Sequence, residues 1–85
     1  MKEITLPTVH LNGTGKQDLC EGYENALRRI GEAIEAVAKI EFHSRDYYPQ
    51  GNQAWNKAVE ERMDIRKKLK EVEEYFTAHL EHIYN

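Results

Sequence analysis

The chain has 85 residues, a charged fraction of 32% with both signs interspersed, and a net charge of −3. That length allows one domain, the mild charge gives no global electrostatic case for nucleic acid or an anionic membrane, and 40% hydrophobic residues are too many for a disordered chain. The single cysteine, Cys20, excludes an internal disulfide and a zinc site of several thiolates, and suits a reducing compartment.

No apolar segment follows Met1-Lys2-Glu3, so no signal peptide is expected, and the longest strictly apolar stretch of the helical part, Ala36-Val37-Ala38, is far short of a membrane span. Together these point to a cytoplasmic protein without a membrane partner. Asn12-Gly13-Thr14 has the glycosylation pattern, which carries no meaning without secretion.

Residues 1–13 read as an extended arm. Ile4, Leu6, Val9 and Leu11 are apolar, Pro7 restricts the backbone, and Asn12-Gly13 marks a turn. This arm carries enough apolar surface to lie on the helices or on a neighbouring subunit.

The remaining residues, 14–85, read as an antiparallel helical hairpin. Thr14 with Gln17 three residues later forms the pattern of a capping box, and Asp18 suits the first turn. A helix is expected over about 15–43, with apolar positions Leu19, Tyr23, Ala26, Ile30, Ala33, Val37 and Ile40, widened by Cys20, Leu27 and Ile34. Ala26 and Ala33 form the centre of that stripe, where small side chains admit a close partner. Gly22 and Gly31 lie off it.

A break is expected at about 46–51. Tyr48-Pro49-Gln50-Gly51 fits a type I turn, and Asn52 is the expected cap of the next helix. That helix, about 53–83, has apolar positions Trp55, Ala58, Val59, Ile65, Leu69, Val72, Phe76, Leu80 and Ile83, interrupted by Arg62 and His79. The two rods should be of similar length.

Two helices cover only one side of each stripe, and short chains in that position commonly oligomerise. The expected architecture is all-α: a two-helix hairpin with an extended N-terminal arm that self-associates, a two-fold dimer and four-helix bundle being favoured. Leu19, Tyr23, Leu27, Ile30, Ile34, Val37, Leu69, Val72, Phe76 and Leu80 are the expected self-association residues. Tyr47, Tyr48 and Trp55 cluster at the hairpin tip, where they either plug the bundle or contact a partner.

Candidate chemistry is sparse. Gly13-Thr14-Gly15-Lys16 ends like a phosphate loop, but His10 stands at the upstream glycine position and Gln17 follows the lysine. His79 and His82 have chelating spacing, but Phe76 and His79 occupy the positions where a di-iron bundle needs Glu, so no metal is assigned. His43, Ser44 and Asp46 leave a helix as neighbours, which does not assemble a triad, and Cys20 sits near Asp18 and Glu21, which oppose a thiolate. No cofactor and no enzymatic activity are expected. A basic stretch, Arg62, Arg66, Lys67, Lys68 and Lys70, with Arg28 and Arg29 roughly opposite, is the local case for a nucleic-acid-associated factor. Interspersed glutamates favour instead a solvated, ion-paired face, and Arg62 could pair with Glu32 or Glu35.

The segments Leu6-Pro7-Thr8-Val9-His10-Leu11-Asn12-Gly13-Thr14 and Arg45-Asp46-Tyr47-Tyr48-Pro49-Gln50-Gly51 resemble small proteins encoded in tailed-phage and prophage genomes. The likeness covers the arm, the cap and the tip, while the helices match in pattern only. It implies a phage or prophage origin and carries over no activity or catalytic residue. The function expected from the whole reading is a non-catalytic oligomeric assembly or adaptor protein.

Overall fold

A repeat of seven residues sets the second rod. Trp55, Arg62, Leu69, Phe76 and Ile83 recur at that spacing, which keeps one line of side chains facing a partner helix. In a computed structural model that describes residues 3–85, this segment is one unbroken helix, Asn52–Tyr84, here α2. Met1 and Lys2, part of the expected arm, lie outside the described residues. The first rod is Lys16–Ala38, α1, whose inward line is Cys20, Leu27 and Ile34. The two pack antiparallel, with Tyr23 against Phe76 and His79 near the base, ring centroids 6.0 and 5.3 Å apart. The fold is thus an all-α hairpin, and no strand forms among the described residues.

The rods are unequal. α1 has 23 residues and α2 has 33, a difference of roughly 15 Å at 1.5 Å per residue. α1 stops short of residue 43 because of what comes next on its inward line. Seven residues after Ile34 stands Glu41, whose carboxylate a continued helix would push between the rods, where an unpaired charge is costly. Instead Lys39 closes the helix on the carbonyls of Glu35 and Ala36, and Glu41 stays in solvent beside His43 at 3.6 Å. Leaving the helix lets Phe42 turn inward. Its ring lies 4.7 Å from that of Trp55 and 5.8 Å from that of Tyr47.

The tip then takes two 3₁₀ turns, Ser44–Asp46 and Tyr48–Gln50, in place of a single break. The Gly51 amide donates to the Tyr48 carbonyl at 3.0 Å, the bond a Tyr48–Gly51 turn requires. Gly51 adopts φ 99°, a region that L side chains avoid, and it serves as the cap of α2 in place of Asn52. The first cap differs as well. Gly15 precedes α1 with no side-chain cap, and Gln17 donates to Glu21 rather than reaching back toward Thr14.

The two interruptions of the α2 stripe are absorbed differently. Arg62 stays on the inward line, its guanidinium carbon 4.3 Å above the Phe42 ring, and so stacks on an aromatic face rather than pairing with Glu32 or Glu35. His79 is buried, and its Nδ1–H donates to the Tyr75 carbonyl one turn back at 2.9 Å. With Cys20 and Ile83 it makes up the buried set among the described residues.

The arm is extended from Glu3 to His10 and ends in a turn closed by the Gly13 amide on the His10 carbonyl at 3.1 Å. It lies on α2, where His82 Nε2–H donates to the Pro7 carbonyl at 2.9 Å and Ile4 sits near Val72, Tyr75 and Phe76.

The result is a rod of 61 × 24 × 17 Å with a radius of gyration of 18.3 Å, against roughly 12 Å for a compact chain of this length. Neither helical glycine serves the packing: a Cβ at Gly22 or Gly31 would meet nothing within 4 Å. Replacing either by alanine should therefore raise stability by roughly 0.5–1 kcal/mol through helix propensity alone, seen as a higher denaturation midpoint at unchanged slope. A destabilised G31A variant would show that the space beside Gly31 is needed.

Candidate functional site

An antiparallel helix pair has a local two-fold axis perpendicular to the plane of its rods, so equal offsets from the inward line of each helix fall on the same broad face. One before and three after that line stand Leu19, Tyr23, Ala26, Ile30, Ala33 and Val37 on α1, and Ala58, Ile65, Val72, Tyr75 and His79 on α2. This face is mostly apolar on α1, while on α2 Glu61, Lys68 and His82 alternate with the apolar residues, and the arm lies over its base end, with Ile4 near Val72 and Tyr75 and the Pro7 carbonyl on His82. The opposite face carries Glu21, Glu24, Arg28 and Glu35 from α1, with Arg66, Lys70 and Glu73 among Val59, Met63, Leu80 and Tyr84 from α2, and so is the more charged of the two. The hairpin therefore has a greasy side and a charged side.

Much of the greasy side is open. Ile65 is 48% exposed, Ile40, just beyond α1, is 54% exposed, and Val72 and Tyr75 are also exposed. Beneath the arm a groove of about 870 Å³ remains between Ile4 and the Val72–Tyr75–Phe76 surface.

The expected self-association residues divide accordingly. Leu27, Ile34, Leu69 and Phe76 occupy the seam between the chain's own helices, and Leu80 flanks it on the charged side. Leu19, Tyr23, Ile30, Val37 and Val72 border the open face. Ala33, expected at the centre of the α1 stripe, is exposed on this face, because the inward line runs through Leu27 and Ile34. Ile65, Tyr75 and Ile40 are further members that the stripe pattern did not single out as contact residues. Their signal was an apolar side chain on a helix whose inward positions were already filled.

At the tip, Tyr47 and Trp55 are half-buried against each other and against Phe42, and so act as a plug. Tyr48 is exposed, its hydroxyl accepting from Ser44 Oγ at 3.1 Å. Phe42, which nothing in the helical pattern marked, is the centre of this cluster.

The basic stretch does not form one surface. Arg62 turns inward onto Phe42, Arg29 pairs with Glu32 at 3.6 Å, and Lys70 pairs with Glu73 at 3.1 Å. Lys68 pairs with Asp64 at 2.9 Å, and that hydrogen bond, followed by the carboxylate's charge, raises the ammonium above its ordinary value. Arg28 donates to Asn25 on its own helix. Arg66 and Lys67 remain at the rim of a groove floored by Ile34, Val37 and Leu69.

His79 and His82 each direct a ring nitrogen to a main-chain carbonyl, on Tyr75 and Pro7, and no cluster of three potential metal ligands occurs among the described residues. His43 faces Glu41 while Ser44 bonds to Tyr48, so the tip residues do not converge on a common point. No helix is long and apolar enough to cross a membrane, among the described residues. No protein-family model, curated protein or solved structure matches the chain.

The base of the hairpin is tied by the Tyr84 hydroxyl, which donates to Glu24 across the charged side. That hydrogen bond, together with partial desolvation and the carboxylate's charge, holds the phenol above its ordinary value. A raised value means the bond stabilises the fold fully below pH 10.0 and that the contribution disappears as pH rises through the raised value, when a phenolate would face Glu24. Ultraviolet titration should show a late phenol ionisation, and Tyr84→Phe should remove that late step. Loss of the late step in a variant at another tyrosine instead would refute the assignment.

Proposed function

We propose that this protein is a non-catalytic assembly or adaptor protein whose working unit is an oligomer, a dimer being favoured, held together through the apolar broad face of the hairpin. The observation that carries the reading is the apolar surface the hairpin leaves uncovered, with Ile40, Ile65, Val72 and Tyr75 exposed and Ile30 and Val37 only half-buried. Exposed apolar patches mark interaction sites.

The chain as a whole exposes more surface than a compact monomer, which leaves room for a second copy. The accessible surface is 6911 Å² for a chain of 10.0 kDa, against about 5200 Å² for a compact monomer of that mass. The surplus exceeds the roughly 800 Å² that each partner contributes to a stable interface. The His10–Gly13 turn, with exposed Leu11, and the exposed Tyr48 then remain available for a different partner. A phage or prophage origin is supported by the arm and tip segments alone. The nucleic-acid alternative has less to draw on, since Arg62, Arg29 and Lys70 have other partners.

Light scattering coupled to size-exclusion chromatography should return about twice 10.0 kDa at micromolar concentration. A well-folded monomer there would overturn the reading. Ile65→Glu, placing a charge in the apolar face, should weaken association at least about tenfold, equivalent to ~1.4 kcal/mol. Met63 is more exposed, at 66%, but lies on the charged side, and Met63→Glu should leave the mass unchanged. Equal effects of the two substitutions would point away from this face.

A further inference from the structure

We infer that the groove floored by Ile34, Val37 and Leu69 and rimmed by Arg66, Lys67 and Lys70 is the docking site of an acidic amphipathic helix from a partner protein, which lays an apolar anchor on the floor and its carboxylates against the rim. The site goes beyond self-association. Of the residues that carry that reading, Val37 lines the groove, while Ile40, Ile65, Val72 and Tyr75 stand outside it.

The occupant follows from the charge of the lining. The chain is net −3, yet this groove is lined by three cations and by no carboxylate of the described residues. The concavities beneath the arm and beside Tyr84 differ, because Glu3 and Glu71 line the first and Glu21 and Glu24 the second. On α2 the nearby carboxylates are engaged: Asp64 holds Lys68 at 2.9 Å and Glu73 holds Lys70 at 3.1 Å. Arg66 and Lys67 have no ion-pair partner among the described residues. Cations without an internal counter-charge, set at the edge of an apolar floor, complement a ligand that is apolar at its centre and anionic beside it. Lys70 can join them, since an exposed pair within one helix contributes little and yields to an incoming carboxylate.

The apolar floor argues against other occupants. A nucleic-acid backbone would neutralise the cations but leave Ile34, Val37 and Leu69 without an apolar contact. A second copy docked groove to groove would set cation against cation, which costs affinity. The overall charge of −3 also opposes an acidic partner at long range, so the attraction is local and requires the buried anchor as well as the carboxylates.

The spacing favours a helix. Arg66 and Lys70 are four residues apart on α2, about 6 Å along the rod, and glutamates at i and i+4 of a helix are separated by the same distance. A strand laid on the floor would leave main-chain groups without partners, whereas a helix satisfies its own. The groove volume of about 350 Å³ accepts anchor side chains from one face of that helix, as in helix-in-groove recognition.

The probe is a fluorescein-labelled, alanine-based helix of about 18 residues, with two leucines four apart on one face and glutamates flanking them. Its anisotropy should saturate with a midpoint below about 100 μM in low salt. Arg66→Glu combined with Lys67→Glu should weaken binding at least about tenfold, whereas Lys57→Glu, at an exposed cation outside the groove, should not. Arg66 and Lys67 are exposed, so helicity by circular dichroism should be unchanged. Probes with lysine in place of glutamate, or serine in place of leucine, should also bind at least about tenfold more weakly. Amide shifts of the unsubstituted protein, which need no variant, should move most at residues 34–37 and 66–70. Absence of saturation up to about 1 mM, equal binding of the lysine or serine probe, or the largest shifts elsewhere would overturn the site. Tighter binding of a single-stranded oligonucleotide, abolished by the same charge reversals, would assign the cations to nucleic acid and overturn it as well. A monomeric mass would remove the proposed self-association without touching this result.

Discussion

A layer only two helices wide cannot enclose a core, and the rest of this structure follows from that constraint. Each rod has a full stripe of apolar residues, but its neighbour covers only the inward line and the nearer flank. Cys20, His79 and Ile83 are buried, all at the base, where the arm and the end of α2 add a third contributor. Elsewhere the apolar side chains are half-buried or open, and the accessible surface is correspondingly large. The hydrophobic effect acts on area removed from water, so a second apolar layer has a driving force that the isolated hairpin leaves unused.

The two ends of the hairpin are closed by different chemistry. At the tip, Phe42, Tyr47, Trp55 and the Arg62 guanidinium form an aromatic plug, which substitutes for the missing helical turns at the end of α1. At the base, polar ties accompany the packed Tyr23, Tyr75, Phe76 and His79 rings: Tyr84 to Glu24, and His82 to the Pro7 carbonyl. These ties orient the arm and the last turn of α2 but add little apolar burial. The middle of the rod, around Ile65 and Val37, has neither device, and there the apolar face is most open.

Charge is arranged so that the two broad faces cannot serve the same purpose. Lys70 with Glu73 on the charged side, and Lys68 with Asp64 on the outer surface of α2, form exposed pairs within one helix. Such pairs contribute little to stability, but they keep these surfaces solvated and unsuited to close packing. The basic stretch of α2 is consequently divided among several faces. A linear run of cations had suggested a single surface, and helical geometry distributes it around the rod.

The local sequence determined the all-α class, the break at Tyr48–Gly51, the single long second helix and the apolar stripes, because these depend on residue spacing and on Pro and Gly within one or two turns. The early end of α1, the inward turn of Phe42 and the placement of Arg62 over its ring were decided by tertiary structure. Each depends on which residue faces the other rod: Glu41 falls on the inward line only once α2 lies against it. The caps were also settled at that level, since the approach of the arm and the path of the tip leave Gly15 and Gly51, rather than Thr14 and Asn52, at the helix starts. The separation into an apolar and a charged broad face was present in the sequence as offsets from two lines. Only the antiparallel pairing joined those offsets into a surface, because the sides of two rods coincide in space once their relative direction is set.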